Sequence, residues 1–157
     1  MTSAPNKGIE AEKAEDVLAL FERWHDAHEA SDYEGLAGVL AEDVEIHSMF
    51  KPEPVAGRPA ALEHFRGTVS RFTDFGMPLL SAPAASDAGI AFAEVVFTGT
   101  FTGELTWRGI LHRGRRQAFE VPGVIVLHTA GNMVTSVKTL FDRDDWLGQI
   151  GVDCSVN

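Results

Sequence analysis

Apolar residues in the first third of the chain recur at the spacing of a helix. Between residues 11 and 30 they follow one another at three- and four-residue steps, which predicts an amphipathic helix with one buried side. The residues of that side are Val17, Leu20, Phe21, Trp24 and His28. Asp32 is a suitable N-cap for a second helix over residues 33–40. A third helix is predicted near Pro59, because proline suits the first turn of a helix.

Beyond residue 76 the pattern changes to that of strands. Val, Ile, Phe and Thr dominate, and glycines separate the apolar runs. Strands are predicted over residues 44–49, 78–84, 89–101, 103–113, 115–128 and 132–141. Gly114 marks one hairpin turn, and Gly131 with Asn132 marks another. Helices followed by a strand meander are typical of an α+β domain, in which helices pack on one face of an antiparallel sheet.

The length of the chain, 157 residues, is typical of one domain. We expect a flexible N-terminus over residues 1–10, a single domain over residues 11–151 and a C-terminal tail over residues 152–157. Cys154 is the single cysteine and cannot form an intramolecular disulfide, so the sequence does not indicate a secreted disulfide scaffold.

The charge of the chain is acidic and unevenly distributed. The formal net charge is −10, and residues 1–63 hold 14 acidic against 5 basic residues. This charge argues against nucleic acid as a partner, which requires a basic face. No apolar run approaches the ~20 residues of a membrane span, and residues 1–13 lack the apolar segment of a secretory signal. We therefore expect a cytoplasmic protein with no membrane partner.

Signatures of common cofactors and metals are missing from the sequence. It contains no glycine-rich nucleotide motif, no H-E-x-x-H, no C-x-x-C and no G-x-S-x-G. His25 and His28 are three residues apart on the first helix, but a solvent-facing His25 beside an inward His28 is the simpler interpretation. We expect neither a cofactor nor a metal.

Several short motifs together resemble one known superfamily. In the first half they are Phe21-x-x-Trp24, Asp32-Tyr33-Glu34-x-Leu36, Leu40-Ala41-Glu42-Asp43-Val44, Gly57-Arg58-x-x-x-Leu62 and Phe65. In the second half they are Gly99-Thr100-Phe101-Thr102-Gly103-Glu104, Val121-Pro122-Gly123-Val124, Leu140-Phe141-Asp142 and Trp146-Leu147-Gly148-Gln149-Ile150-Gly151. These motifs resemble the nuclear transport factor 2-like superfamily, which includes the ketosteroid isomerases, and in particular its SnoaL-like polyketide cyclase branch.

The resemblance implies a fold and a set of reactions. The implied fold is a cone-shaped half-barrel, in which a curved antiparallel sheet wraps a pocket and the N-terminal helices close it. Members of the superfamily include cyclases, ketosteroid isomerases and dehydratases, and also binding proteins without catalytic activity. The residues that face the pocket must therefore indicate the chemistry.

The catalytic groups of the known members are missing here. Alignment with the ketosteroid isomerases puts Trp24 at the tyrosine position, Ser48 at the position of the base and Gly123 at that of the acid. Phe101 stands where the cyclases hold a histidine, and Glu120 points away from the pocket if Gly123 faces it. Steroid isomerisation by the known mechanism is therefore not expected.

Strand alternation and helix spacing leave three polar candidates for catalysis in the pocket: His28, Lys138 and Ser48. A histidine can relay protons near neutral pH, and a buried lysine with a depressed pKa can act as a base or form an imine. Each candidate also has a structural interpretation, because His28 can bind a backbone carbonyl, Lys138 can reach solvent and Ser48 can be a satisfied hydroxyl. The expected lining residues are Trp24, Ile46, Phe65, Phe101, Gln117, Phe119, Gly123, Ser136 and Leu140. A register shift of one residue would exchange Ser48 for His47.

Two classes of function remain open. The first is a small enzyme that cyclises, isomerises or dehydrates a hydrophobic carbonyl or polycyclic compound by acid/base chemistry, without a cofactor. The second is a non-catalytic protein of the same fold that binds a small hydrophobic molecule. In either case we expect a homodimer, because the outer face of the sheet carries apolar residues, which are Phe92, Val96, Val124 and Val126.

Overall fold

The computed structural model describes residues 7–48 and 53–152, with side chains from residue 13 onward. Most of the expected flexible N-terminus, residues 1–6, lies outside this range, as does the tail from residue 153 with Cys154. The described helices are α1 Lys7–Glu29, α2 Tyr33–Val39, α3 Arg58–Arg71 and α4 Arg143–Gln149. The described strands are β1 Leu40–His47, β2 Val55–Ala56, β3 Phe72–Gly76, β4 Ala84–Ala85, β5 Ile90–Phe101, β6 Glu104–Trp107, β7 Ile110–Arg113, β8 Gln117–Ala130 and β9 Met133–Phe141.

Short polar signals set the ends of the helices. The Asp32 side chain caps α2 by accepting a hydrogen bond from the Gly35 backbone N–H at 2.9 Å, as the sequence predicts. Asp142 caps α4 in the same way through the Asp145 N–H at 3.0 Å. The first helix begins at Lys7, four residues before the periodic pattern predicts. Its extra first turn lies before the first apolar residue of the buried side, so the apolar pattern does not mark it.

The main sheet is curled into a half-barrel, with the strand order β2, β1, β9, β8, β5 and β3, and with β4 also paired to β5. The expected α+β cone is therefore confirmed. One detail differs, because β1 and β9 are parallel and the sheet is mixed rather than wholly antiparallel. These strands lie at opposite ends of the sequence, and hairpin signals report only on strands that are neighbours along the chain.

The second half of the chain contains a β-hairpin that the sequence analysis does not predict. Residues 103–113, expected to be one strand, form a separate two-stranded sheet of β6 and β7. Arg108 and Gly109 make its turn with φ angles of 49° and 79°, values that match a tight hairpin with positive φ at both central residues. Gly114 accordingly joins strands that are not paired with each other, and β8 pairs instead with β5.

The loop before β5 also differs from the prediction. The expected strand over residues 78–84 is replaced by β3, which follows α3 directly, and by the two-residue strand β4. Leu79 contributes only an isolated bridge to Val95. The apolar run in this segment therefore packs along β5 without forming a continuous ladder.

A bulge between β8 and β9 decides which side of β9 faces the helices. Ala130 pairs with Met133 and Thr129 with Val134, but His128 pairs with Ser136, so Thr135 is the extra residue. Because strand side chains alternate, one extra residue moves every later side chain of β9 to the opposite face. Val137 and Phe141 therefore share the inner face with β8 residues such as Val121.

The helices and the inner sheet face enclose one cluster of buried apolar residues. Phe21 of α1, Phe101 of β5, Ile125 of β8 and Leu147 of α4 are each fully buried in it. Burial of this apolar area is the main favourable term in the stability of the fold. Among the described residues, no helix combines the length and the hydropathy needed to cross a bilayer.

At Gly123 the strands β8, β9 and β5 approach closely, and a substitution there tests this packing. A Cβ at this position would lie 2.5 Å from the backbone oxygen of Leu140 and 2.5 Å from the Phe97 ring. We expect Gly123→Ala to lower the free energy of unfolding by about 1–3 kcal/mol, since the backbone contact cannot relax by a rotamer change. Urea unfolding measures the effect.

The matched control is Gly38→Ala in α2, where an added Cβ would meet no atom within 4 Å. This variant should gain up to about 1 kcal/mol, because alanine is the better helix former. Equal effects of the two substitutions would contradict the packing described for Gly123.

Candidate functional site

A cavity of about 920 Å³ lies between α1, α3, the inner face of the sheet and the β6–β7 hairpin. Its wall is dominated by aromatic side chains, which belong to Trp24, Phe65, Phe72, Phe75, Phe97, Phe119, Phe141 and Trp146. Rings of this kind offer a large apolar surface and favour offset or edge-to-face contacts with a planar guest. The cavity size is within the range of small-molecule sites.

His28 is a titratable group buried among the aromatic rings of this wall. It lies in the last turn of α1, and its ring centroid is 4.2 Å from that of Phe65, 5.3 Å from Trp24 and 6.0 Å from Phe75. Only 14% of its side-chain surface is exposed. Its Nδ1 atom is buried and has no hydrogen-bond partner among the described residues, so no backbone carbonyl holds the ring there. The His28 side chain lines the cavity, so its imidazole is within reach of a molecule bound there.

Burial lowers the pKa of His28 below its ordinary value of 6.5, because the aromatic surroundings disfavour the charged imidazolium. The Glu29 carboxylate opposes this shift, since its Oε1 lies 3.9 Å from Nδ1. The balance favours a neutral imidazole at neutral pH. A neutral ring with one nitrogen open to an apolar cavity can accept a proton from a bound molecule.

Glu29 is itself held in place by the segment that follows β3. Its Oε1 accepts the Met77 backbone N–H at 3.0 Å. Burial alone would raise the pKa of Glu29, but His28, this N–H and His25 outweigh burial and lower it, so the carboxylate stays ionised. His25 bonds the carbonyl of Met77 through Nε2 at 2.9 Å. The expectation of a solvent-facing His25 is therefore wrong, because this ring is half-buried and binds the same peptide segment.

Six of the twelve side chains that the sequence assigns to the pocket line the cavity, and they are Trp24, His28, Ile46, Ser48, Phe65 and Phe119. His47 lies beyond the lining and is 3.3 Å from the Glu45 carboxylate through Nε2. The register of β1 therefore places Ser48 rather than His47 in the cavity wall.

Three residues of β9 that were predicted to line the pocket lie on the face of the sheet opposite the cavity. Ser136, Lys138 and Leu140 do not line the cavity, and the Lys138 side chain is exposed. Lys138 and Leu140 border a separate shallow groove of about 280 Å³, together with His47, Ser48 and Thr139. The physical reason is the bulge at Thr135, which turns Val137, Thr139 and Phe141 inward instead.

The remaining three predicted lining residues make contacts within the core or with α4 instead. Phe101 is fully buried against Phe72, with ring centroids 5.6 Å apart. Gln117 donates a hydrogen bond from Nε2 to the Ile150 carbonyl at 3.0 Å and so fixes the end of α4. Gly123 lies on the inner face, but the Phe97 ring covers it.

Several lining residues were missed by the sequence analysis. Thr139 of β9 was missed because the bulge changes which side chains of that strand face inward. Four others belong to the unexpected hairpin, and they are Glu104, Leu105, Thr106 and Leu111. Arg71 was missed because it ends α3 beyond the apolar stripe. The Arg108-Gly109 pair was the available signal for the hairpin, since glycine after a polar residue favours a tight turn.

Within residues 7–48 and 53–152, no three His, Cys, Asp or Glu side chains come together in a way that could hold a metal ion.

Comparisons with known proteins agree with this architecture. A sequence model of the SnoaL-like domain matches residues 21–137 of the chain. A candidate polyketide cyclase from Xanthomonas campestris pv. campestris has a TM-score of 0.72 at 19% identity, over 88% of this chain and 99% of its own. A candidate SnoaL-like polyketide cyclase from Jannaschia sp. CCS1 has a TM-score of 0.75 at 14% identity, over 98% and 99%.

A third similar structure contains a bound molecule. A hypothetical protein with a ketosteroid isomerase-like fold from Catenulispora acidiphila DSM 44928, in complex with trimethylamine, has a TM-score of 0.69 at 17% identity, over 88% of this chain and 96% of its own. At these identities the likeness shows the fold alone. No curated protein matches the chain in sequence.

The environment of His28 predicts a pH dependence of stability. Because the folded state lowers the pKa of His28 below 6.5, the unfolded state binds more protons as the pH falls through this value. The contribution of neutral His28 to the free energy of unfolding is therefore present above pH 6.5 and is lost on acidification.

Urea unfolding of the wild type and His28→Gln at several pH values between 5 and 8 measures this contribution. The stability of the wild type relative to His28→Gln should decrease as the pH is lowered. His128→Gln, at an exposed position on β8, is the matched control. A relative stability of His28→Gln that stays constant across the range would contradict the assigned burial.

Proposed function

Since the chain belongs to the SnoaL-like domain family, we propose that it catalyses the cyclisation, isomerisation or dehydration of a small hydrophobic carbonyl compound. The observation that carries this proposal is the buried imidazole of His28, which lines an aromatic cavity and has its Nδ1 beside a carboxylate. His64 also lines the cavity, but His28 is preferred because its side chain is only 14% exposed and packs on three aromatic rings. His28 is therefore the proposed acid/base group.

The two nitrogens of His28 have different roles in this proposal. Glu29 lies on the Nδ1 side and favours a proton on that nitrogen, which leaves the lone pair of Nε2 directed at the cavity. Nε2 takes a proton from the carbon next to the substrate carbonyl, and the electron pair of that C–H bond passes into an enolate. The Glu29 carboxylate stabilises the resulting imidazolium. The imidazolium then returns the proton to the product.

Two hydroxyl groups supply polar contacts for the substrate oxygen. Ser48 follows the last residue of β1 and Thr139 lies on β9, and both line the cavity. Because His47 pairs with Lys138 in parallel strands, the residues that follow them, Ser48 and Thr139, lie side by side. Hydroxyl donors near a developing enolate oxygen stabilise the charge that forms on it. Lys138, which lies outside the cavity, has no role in the proposal.

Non-catalytic binding is the competing function, and the exposure of Lys138 favours it because it removes one polar group from the pocket. The state of His28 favours the enzyme, since a histidine with a purely structural role would bond a neighbouring carbonyl. A proton-transfer assay separates these two classes directly.

The assay is exchange of the α-protons of 2-tetralone, a small bicyclic ketone, with solvent deuterium, followed by NMR. We expect the wild type to accelerate exchange and His28→Gln to lose about 10²-fold or more of that acceleration, in line with the usual effect of a general base. The exchange rate should rise with pH until His28 is neutral and stay constant above that point. Because the pKa of His28 is lowered, the plateau should already be reached before the pH is raised to 6.5.

His128→Gln is the control of the same residue type, because His128 is exposed and lies outside the cavity lining. It should retain wild-type exchange. If His28→Gln exchanges the protons of 2-tetralone as fast as the wild type, the acid/base assignment is wrong. If the wild type binds 2-tetralone without accelerating exchange, the binding function is supported.

We also propose that the protein forms a homodimer through the outer face of the sheet. Phe92 and Leu140 are 51% and 45% exposed on that face. The register places Phe92 opposite Val126 and Leu140 opposite Val124, so the four apolar side chains are neighbours. A contiguous apolar patch of this kind is typical of an interface.

Sedimentation velocity tests the interface. The wild type should sediment as a dimer, and Phe92→Glu should shift it toward monomer, because a buried carboxylate without a partner is unfavourable. Ser70→Glu, at an exposed position on α3, adds the same charge away from the sheet and should remain dimeric. A Phe92→Glu protein that stays dimeric would place the interface elsewhere.

A further inference from the structure

Three charged side chains line the part of the cavity between α3 and the β6–β7 hairpin, and they are Glu63, Arg71 and Glu104. Each acid has its own arginine partner. Arg66 Nη1 lies 3.7 Å from Glu63 Oε2, and Arg113 Nε lies 3.6 Å from Glu104 Oε1. The negative charges in the lining are therefore already compensated by residues that do not line the cavity.

Arg71 differs from the other two charged residues of the lining, because it forms no ion pair with any described residue. Its guanidinium lies back along α3, with Nη1 3.4 Å from the position that a Cβ on Gly67 would occupy. The main chain at Arg71 is fixed, since its carbonyl accepts the backbone N–H groups of Thr102 at 3.1 Å and Gly103 at 2.9 Å. An anchored backbone with an uncompensated cation at the cavity edge is a suitable arrangement for binding an anion.

Two more arginines reinforce the positive charge at this edge. The Gly114 N–H donates to the Gly103 carbonyl at 2.8 Å, and the Arg116 N–H donates to the Phe101 carbonyl at 2.9 Å. Arg115 and Arg116, both exposed, therefore lie beside the segment that also anchors Arg71. In a chain of net charge −10, basic residues therefore outnumber acidic ones along residues 103–116, which favours the approach of an anion to this segment.

We propose that the substrate carries an oxyanion, either a carboxylate or a phosphate, which Arg71 binds at the edge of the cavity. This inference rests on the proposed function, because it takes the aromatic cavity to be the substrate site. The Arg71 guanidinium lies beside Gly67, two residues beyond Phe65 on α3. Since Phe65 packs on His28, the anionic group and the reacting carbonyl both bind in the part of the cavity next to α3.

Equilibrium binding of three naphthalene probes tests this proposal: 2-naphthoate, 2-naphthyl phosphate and the neutral 2-naphthamide. The wild type should bind at least one anionic probe more tightly than the amide, and the preferred anion identifies the natural group. Arg71→Gln should weaken binding of that anion about tenfold. This factor is at the lower end of the range for loss of a charge-assisted hydrogen bond, because the site is exposed to solvent. The affinity for the amide should change less than about twofold.

Arg23→Gln is the matched control, because it removes the same charge from an exposed position on α1 outside the cavity lining. It should leave all three affinities unchanged, and thermal unfolding should show that both variants are folded. Equal weakening of the amide and the anions in Arg71→Gln, or no preference for an anion in the wild type, overturns the inference. That result leaves the proposed function in place, since the exchange of 2-tetralone by His28 requires no anionic group.

Discussion

Side-chain alternation along β5, β8 and β9 is the constraint on which the molecule depends. β5 and β8 pair without interruption from Ile90 opposite His128 to Phe101 opposite Gln117, so one face of this pair is buried along its whole length. The same face forms the core at one end and the cavity wall at the other. A register change of one residue in β9 would bring Lys138 to the inner face in place of Thr139, which is why the position of a single bulge matters to function.

The bulge at Thr135 therefore sets the chemistry of the cavity as well as its shape. It places Thr139, with a neutral hydroxyl, in the wall and Lys138, with a cation, outside. An amine in the wall would oppose protonation of His28 by like-charge repulsion. With Lys138 outside, burial and the Glu29 carboxylate are the opposing influences that set the pKa of His28.

Much of the fold could be predicted from the sequence, because it depends on patterns that are local. The spacing of Trp24 and His28, the cap at Asp32 and the alternation around Ile46 each reflect contacts within one helix or strand. The parallel pairing of β1 with β9 and the bulge at Thr135 could not be predicted in this way, since they depend on which distant strands meet. The cavity residues that were missed, Thr139 and Arg71, depend on these non-local features or lie beyond the apolar pattern.

The proposed chemistry requires a neutral His28 whose Nδ1 carries the proton and whose Nε2 is open to the cavity. Nitrogen-15 NMR of the histidine side chains measures both the tautomer and the pKa of this ring. The account predicts the Nδ1–H tautomer and a pKa below 6.5, with Glu29→Gln lowering the pKa further by removing a carboxylate. An Nε2–H tautomer, or a pKa at or above 6.5, would contradict it.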